Sequence, residues 1–403
     1  MRKKVVLAFS GGLDTSFCVP YLLDKGFDVY TLFVNTGGID KHHELQIEKR
    51  AYELGASQHF TVNGKQKLWQ DIVVPLVWAN HLYQNKYPTL CADRYLIVEE
   101  AIKLCQSLGT QYIAHGCTGM GNDQVRFDLA ISAHGNYQIL SPIREIQKAH
   151  PQTRQYEIDF LQAKGFAVSV KQNRYSINEN LLGVTISGCE IDEWKAPLLD
   201  TYVLCQPPAK VKQQPITLSL TFKHGMVTSI NNQAMDGADI VQELNNVAAE
   251  YSIGRNIYTG DTIIGLKGRI VFEAPGLSLL QTAHKALEEV CLTSKQNDFK
   301  PLLAQQWTEL VYKGFYFDPL YNTIREGLAS LEKNVTGTVT LQLLPHQAIA
   351  IAIESQNTLT SKDAIYAQSA SWGVEQATGF IQLYGQSTTT WASVHSYDSK
   401  EHP

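Results

Sequence analysis

Short apolar runs alternate with longer amphipathic stretches through the first part of the chain, and the two follow different periods. Val5 to Phe9 and Val29 to Val34 are almost unbroken apolar runs, the pattern of strands buried on both faces of a parallel sheet. Gln58 to Val62 and Tyr112-Ile113-Ala114 read as further strands. Between them the pattern predicts helices over Phe17 to Leu23, Lys41 to Leu54 and Asp93 to Leu108, stopped by Lys25-Gly26, Gly55 and Gly109, since glycine commonly closes a helix. A longer helical stretch runs from about Gln66 to Gln84 with Pro75 as its expected kink, and Arg154 to Lys164 precedes Gly165. Strands alternating with helices predict an α/β domain with a doubly wound parallel sheet, which binds ligands at the carboxyl ends of its strands.

After Gly165 the texture changes. Apolar residues alternate from Ile216 to Phe222, turn at Lys223-His224-Gly225 and continue from Met226 to Ile230, as in an antiparallel hairpin with one solvated face. A second hairpin runs from Thr338 to Leu343, through Pro345-His346-Gln347, to Ala348 to Ile353, with helical runs at Ile240 to Glu250 and Leu280 to Leu292 between the two. This predicts an α+β domain entered near Gly165 to Tyr175. The expected division is a nucleotide-binding domain over 1–166, a substrate domain over 167–360 and a C-terminal segment over 361–403. The last holds one apolar run, Gly379 to Leu383, and a polar end expected to be disordered or used in assembly.

Composition narrows the class. The 403 residues are 44% apolar and 18% charged, enough to build sizeable cores. The net charge of −5 and the lack of a dense basic run exclude the electrostatic footprint of nucleic-acid binding. The apolar run after Arg2-Lys3-Lys4 stops at Ser10, short of a signal peptide, and no run approaches a membrane span. The seven cysteines are scattered with no Cys-x-x-Cys pair and read as reduced thiols of a cytoplasmic protein.

The chemistry begins at Ser10-Gly11-Gly12-Leu13-Asp14-Thr15-Ser16, between the first strand and the first helix. A glycine-rich turn at a helix N-terminus presents N–H groups and a favourable dipole to phosphate. Asp14, an acid in an anion site, makes sense mainly if a cation bridges it to the phosphates. The loop lacks the Gly-Lys-Ser/Thr ending of a Walker loop. It resembles the pyrophosphate loop of the ATP pyrophosphatase superfamily, whose members cleave ATP to AMP and pyrophosphate.

A second glycine-rich loop, His115-Gly116-Cys117-Thr118-Gly119-Met120-Gly121-Asn122-Asp123-Gln124-Val125-Arg126-Phe127, resembles the signature of the argininosuccinate synthase family. Tyr175 to Leu181, Ile253-Gly254-Arg255, Gly265-Leu266-Lys267 and Trp307 to Phe315 resemble further stretches of that family. The resemblance implies adenylation of citrulline by ATP and displacement of AMP by aspartate, with Mg²⁺ and a homotetrameric assembly. It assigns ATP to Ala8, Phe9, Ser10, Gly11, Gly12, Leu13, Asp14, Thr15, Ser16, Val34 and Gly116, and aspartate to Thr118, Asn122 and Asp123. Citrulline falls to Tyr87, Asn122, Arg126, Ser176 and Thr185. Asp14 and Asp123 are the expected catalytic residues, Asp14 as the Mg²⁺ contact.

Other residues read more simply. His115 is expected to satisfy a backbone group, His42-His43 to be a solvated helix start, and Phe315-Tyr316-Phe317 to be core. The family pattern also breaks in places. A family serine falls on Cys91 or Ala92, a citrulline-binding Glu on Gly260 and a Tyr on Phe272. Either other residues, Asp261 or a neighbouring subunit among them, supply the missing charge, or the substrate is an N-acylated citrulline. Another AMP-forming ligase would need an ammonia-supplying domain or a cysteine relay, which the sequence does not offer.

Overall fold

The computed structural model describes every residue except 1, 169–174, 362, 367 and 396–403. Its N-terminal part runs β1 Lys3–Ala8, α1 Leu13–Asp24, β2 Phe27–Asn35, α2 Lys41–Glu53, β3 Gln58–Asn63, α3 Lys65–Leu68, α4 Val74–Ala79, α5 Asp93–Leu108, β4 Tyr112–Ala114, α6 Asp123–Ala133, β5 Gln138–Leu140, α7 Pro142–Gln147 and α8 Thr153–Ala163. The strands form one parallel sheet in the order β3-β2-β1-β4-β5. Its apolar runs are continuous because both faces are buried. Val6, Ala8, Leu32 and Val34 enter one core, while Val5, Leu7, Phe9, Val29 and Phe33 enter the other with α1 residues such as Phe17 and Leu22. Strand order reverses between β1 and β4, which opens a crevice at their carboxyl ends.

The stretch expected as one helix to Gln84 is shorter and composite. A π-helical turn, Trp69–Val73, joins α3 to α4, and Pro75, which has no N–H to give, follows just after it, the Asp71 carbonyl four residues earlier accepting from Tyr321 Oη (3.2 Å). The helix ends where Asn80 turns left-handed (φ 45°) and its side chain donates to the Gln281 carbonyl. Gln84, Asn85 and Thr89 also have positive φ, so the following residues form a shaped turn in place of a helical end.

The C-terminal part adds β6 Ser176–Asn180, β7 Gly183–Ser187, β8 Ile216–Lys223, β9 Met226–Ile230, β10 Gln233–Ala234, α9 Gly237–Glu250, β11 Arg255–Asp261, β12 Lys267–Glu273, α10 Pro275–Cys291, α11 Ser294–Lys313, α12 Pro319–Leu331, β13 Gly337–Leu344 and β14 Gln347–Glu354. Two antiparallel sheets result, β10-β9-β8-β13-β14 and β11-β12-β7-β6. Leu218, Leu220, Phe222, Val339, Leu341 and Leu343 point into the same core that receives Val6 and Leu32. Residues 1–357 accordingly form one compact unit. The long helices α11 and α12 were not legible from periodicity, although Thr293 and Gln296 form a capping box at the start of α11. Residues 358–403 are a separate unit containing α13 Val374–Tyr384 and α14 Gln386–His395. The polar Gln386-Ser-Thr-Thr-Thr stretch, expected as tail, lies in α14.

Candidate active site

Gly11 takes φ +74°, a conformation that suits glycine, and turns the chain from β1 into α1. The hydroxyls then brace the loop from inside. Gly12 N–H donates to Ser10 Oγ (3.4 Å), Ser10 N–H to Thr15 Oγ1 (3.3 Å) and Ser16 Oγ to the Gly11 carbonyl (3.3 Å). The first-turn amides of α1, which have no intrahelical acceptor, remain for an anion.

Asp14 does not stand alone in that turn. It shares a hydrogen bond with Glu157 of α8, and burial raises its pKa while the Arg154 guanidinium opposes the shift. Glu157 is 2% exposed. Burial, then the Asp14 charge, push its carboxyl up to about 9, so the pair holds a proton at neutral pH.

The second loop leaves β4 and closes onto the first. A Cβ on Gly116 would lie 3.0 Å from Thr15 Cγ2, 3.2 Å from its amide nitrogen and 3.3 Å from the Asp14 carbonyl carbon. A side chain there would press on the backbone of the first turn of α1, so glycine suits this close approach of the loops. Gly119 N–H donates to Gln147 Oε1 (2.7 Å) and Gln124 Nε2 to the Gly119 carbonyl (2.6 Å). His115 accepts the Cys117 N–H on Nδ1 (3.2 Å) and meets Asp128 through Nε2 (2.8 Å). It serves the backbone, as expected.

At the start of α6 a charge cluster forms. Arg94 Nε and Nη2 donate to Asp123 Oδ2 (3.1 and 3.0 Å), its Nη1 to Asp93 Oδ1 (2.6 Å), and Arg126 Nη1 to Asp123 Oδ1 (2.5 Å). Burial alone would raise the Asp123 pKa, but the Arg94 and Arg126 guanidinia outweigh it and hold the carboxyl below its usual range. Arg126 is buried, donates from Nε to the Tyr312 carbonyl (2.9 Å) and lies over the Tyr312 ring. Asn122 binds Tyr312 Oη through Nδ2 (3.1 Å) and accepts the Ile263 N–H (2.9 Å).

The opposite wall comes from the β11-β12-β7-β6 sheet. Register pairs Phe272 with Thr185 and Thr185 with Asn178. Alternation then places Ser176, Thr185, Phe272, Tyr258 and Gly260 on one face. Tyr87 packs edge-on to Phe272 (5.7 Å between ring centroids) and against Tyr258 and Tyr312. Tyr83 stacks on Tyr312 at 3.6 Å.

Comparison with known proteins decides what this arrangement is. The model of the arginosuccinate synthase N-terminal HUP domain matches residues 4–167, and that of the arginosuccinate synthase C-terminal domain matches residues 175–391. The chain belongs to the argininosuccinate synthase family. It is 54% identical over 393 residues to the argininosuccinate synthase of Xanthomonas campestris pv. campestris, covering 98% of this chain and 99% of that one. Identity to the argininosuccinate synthase of Xylella fastidiosa is 52% over 394 residues, with 98% of each chain covered. The Oenococcus oeni enzyme of the same name is 35% identical over 407 residues, with 100% and 99% covered.

With the argininosuccinate synthase family established, the predicted residues can be located. The Ser10–Ser16 loop, Gly116, Thr118, Asn122, Asp123 and Arg126 come together at the β1/β4 crevice, with Ala8 at the carboxyl end of β1 and Val34 near that of β2. Tyr87, Ser176 and Thr185 line the facing wall. Cys91 is a buried thiol in the turn Leu90–Ala92 behind Tyr87. The space vacated at Gly260 is not open. A Cβ there would lie 2.3 Å from Gln84 Oε1 and 2.5 Å from Tyr258 Oη, so these two side chains already occupy the room beside that position. Arg94, Glu157, Gln84 and Tyr312 were not singled out from the sequence, because each enters the site from an element far away in the chain.

Proposed function

We propose that this crevice is where the chain, an ATP-dependent ligase, joins citrulline to aspartate. The observation that carries the reading is the seating of Gly116 against the first turn of α1, which puts the phosphate loop and the Asn122–Arg126 helix start in one cleft. The ureido oxygen of citrulline attacks the α-phosphorus of ATP and pyrophosphate leaves. The amine of aspartate then attacks the ureido carbon, AMP departs with the oxygen, and argininosuccinate forms as the amine loses its proton.

Residues Ser10 to Ser16 receive the pyrophosphate on N–H and hydroxyl donors already in place, so charge develops against a fixed environment. Ala8, Phe9 and Val34 flank the adenosine and Gly116 the ribose. Thr118, Asn122 and Asp123 hold aspartate, and Tyr87, Asn122, Arg126, Ser176 and Thr185 hold citrulline. Asp123 does so as part of a cluster with two guanidinia, which favours recognition of substrate carboxylates by Arg94 and Arg126. Mg²⁺ would be held by Asp14 together with phosphate oxygens and would neutralise charge on the leaving group. Among the described residues no group of His, Cys, Asp and Glu side chains makes a metal site by itself. The lone loop carboxylate still fits, since Mg²⁺ on a nucleotide commonly takes one or two protein carboxylates besides phosphate.

The wider setting follows the same reading. The boundary near 166–167 separates a nucleotide-binding half from a substrate half, and the C-terminal segment joins subunits of a homotetramer. Buried free thiols at Cys18, Cys91, Cys105, Cys205 and Cys291 suit a reducing cytoplasm. Purified protein given ATP, Mg²⁺, aspartate and citrulline, with each left out in turn, tests the activity. Pyrophosphate release is expected to need ATP and citrulline, and argininosuccinate to appear only with aspartate. Failure to release pyrophosphate with the full set would overturn the reading.

A further inference from the structure

His115 is buried and has no part in the chemistry proposed above, yet a chain of hydrogen bonds runs through it to the second glycine loop. Its Nδ1 accepts the Cys117 N–H (3.2 Å), so the proton of the neutral ring sits on Nε2 and is donated to Asp128 Oδ1 (2.8 Å). Asp128 is fixed in turn by Arg144 of α7. The guanidinium donates from Nη1 to Oδ2 (2.6 Å) and from Nη2 to Oδ1 (3.2 Å), a forked contact that sets direction as well as distance.

The start and end of α7 reach the same loop directly. Ser141 Oγ, just before the helix, donates to the Cys117 carbonyl (3.1 Å), and Gln147 Oε1, at its end, accepts the Gly119 N–H (2.7 Å). The Gly119 carbonyl accepts from Gln124 Nε2 (2.6 Å). Both backbone polar groups of Cys117 and both of Gly119 are therefore bound to supports. Thr118 lies between them, and among the described residues neither its N–H nor its hydroxyl has a partner. The loop is thus held on either side of Thr118, whose own donors are left for a ligand. The same short helix also holds α1, because Glu145 accepts from Tyr21 Oη (3.0 Å) and pairs with Lys25.

The geometry points to His115, backed by Asp128 and Arg144, as a positioning residue that sets Thr118 for aspartate, with Gln147 as a second support of the same loop. This rests on the reading of the crevice as the citrulline–aspartate ligase site. His115 acts through the Cys117 amide and does not itself meet the substrate. The two ring nitrogens can be replaced separately. An asparagine oxygen accepts the N–H two residues on, as in an Asx turn, so His115→Asn keeps the contact made by Nδ1. The longer glutamine side chain carries its NH₂ toward Asp128 instead, so His115→Gln keeps only the contact made by Nε2.

Steady-state kinetics of the full-length protein test the assignment, with aspartate, citrulline and ATP each varied while the others are saturating. His115→Gln should raise the aspartate KM by at least ~10-fold and leave the KM for citrulline and ATP within about twofold, the pattern of binding lost from one substrate. His115→Asn should keep the aspartate KM within about threefold of wild type, since the Cys117 N–H retains its acceptor. Gln147→Ala should raise the aspartate KM by roughly 5-fold, the scale of one lost hydrogen bond. An aspartate KM unchanged in His115→Gln would overturn the proposal. So would KM values that rise together for every substrate, or a His115→Asn variant no better than His115→Gln, since either marks a role in the fold alone. If His115→Gln does not fold, Gln147→Ala decides, and an unchanged aspartate KM there overturns the proposal. A wild type that forms no argininosuccinate from the full set of substrates would instead defeat the ligase reading on which it rests.

Discussion

Asp14 shows how much one residue's meaning depends on its neighbours. In the sequence it is an acid in an anion-binding loop, and in the structure it is also half of a carboxyl pair with Glu157, beside Arg154. Asp14→Ala should lower the rate of pyrophosphate release by ~10²-fold or more, the scale of losing one preorganised electrostatic contact. Near-normal release by the folded variant would remove Asp14 from the mechanism. Asp123 is tested differently, because it organises Arg94 and Arg126. Asp123→Asn should leave equilibrium ATP binding unchanged and raise KM for aspartate by at least ~10-fold. An unchanged aspartate KM would mean that the residue serves another ligand.

At the scale of elements, the clearest feature outside the site is a buried ionic cluster joining α10, α11 and the turn after α12. His284 Nε2 meets Glu332 Oε2 (2.9 Å), Lys300 Nζ meets Glu332 Oε1 (2.9 Å), and Glu288 also pairs with Lys300; all four residues are less than 5% exposed. Burial lowers the His284 pKa despite the opposing Glu332 charge. The unfolded chain therefore binds this proton more readily than the folded one below an ordinary pKa of ~6.5. The His284 contribution is fully present above that pH and is lost as pH falls through it. Thermal melts should show Tm dropping between pH 7.5 and 5.5, with a smaller drop in His284→Gln; equal drops would assign the pH dependence elsewhere. Glu332→Ala should destabilise by ~3–5 kcal/mol, because it takes from the buried Lys300 one of its two carboxylates and from His284 its hydrogen-bond partner, and chemical denaturation measures that directly.

For the whole molecule, residues 358–403 pose a separate question. No residue of α13 or α14 is buried, and Phe380, Ile381, Leu383, Tyr384, Trp391 and Val394 are all more than half exposed. Exposed apolar faces of this kind mark interaction surfaces, which supports the proposed homotetramer. Replacing Phe380 and Tyr384 by lysine should shift the mass found by light scattering from tetramer to a smaller species. A tetramer that survives the double substitution would place the subunit contacts elsewhere.

The sequence by itself determined the parallel sheet and both glycine loops, because those signals are local. Val5 to Phe9 must be buried on both faces wherever it packs, and Gly11-Gly12 before a helix turns the first-turn amides outward without help from distant residues. Asp93 to Leu108 emerged with its ends as expected for the same reason, a periodic run closed by Gly109. The turn from Asn80 to Thr89, the salt bridges of Arg94, the partner of Asp14 and the filling of the space at Gly260 by Gln84 were decided only by tertiary structure. Gln84 and Asp261 lie 177 positions apart in the chain, and no local preference records which side chain will occupy room that another residue has given up. Whether the room beside a glycine is open or filled is a question of packing in three dimensions, and at Gly260 the filling side chain, Gln84, comes from across the fold.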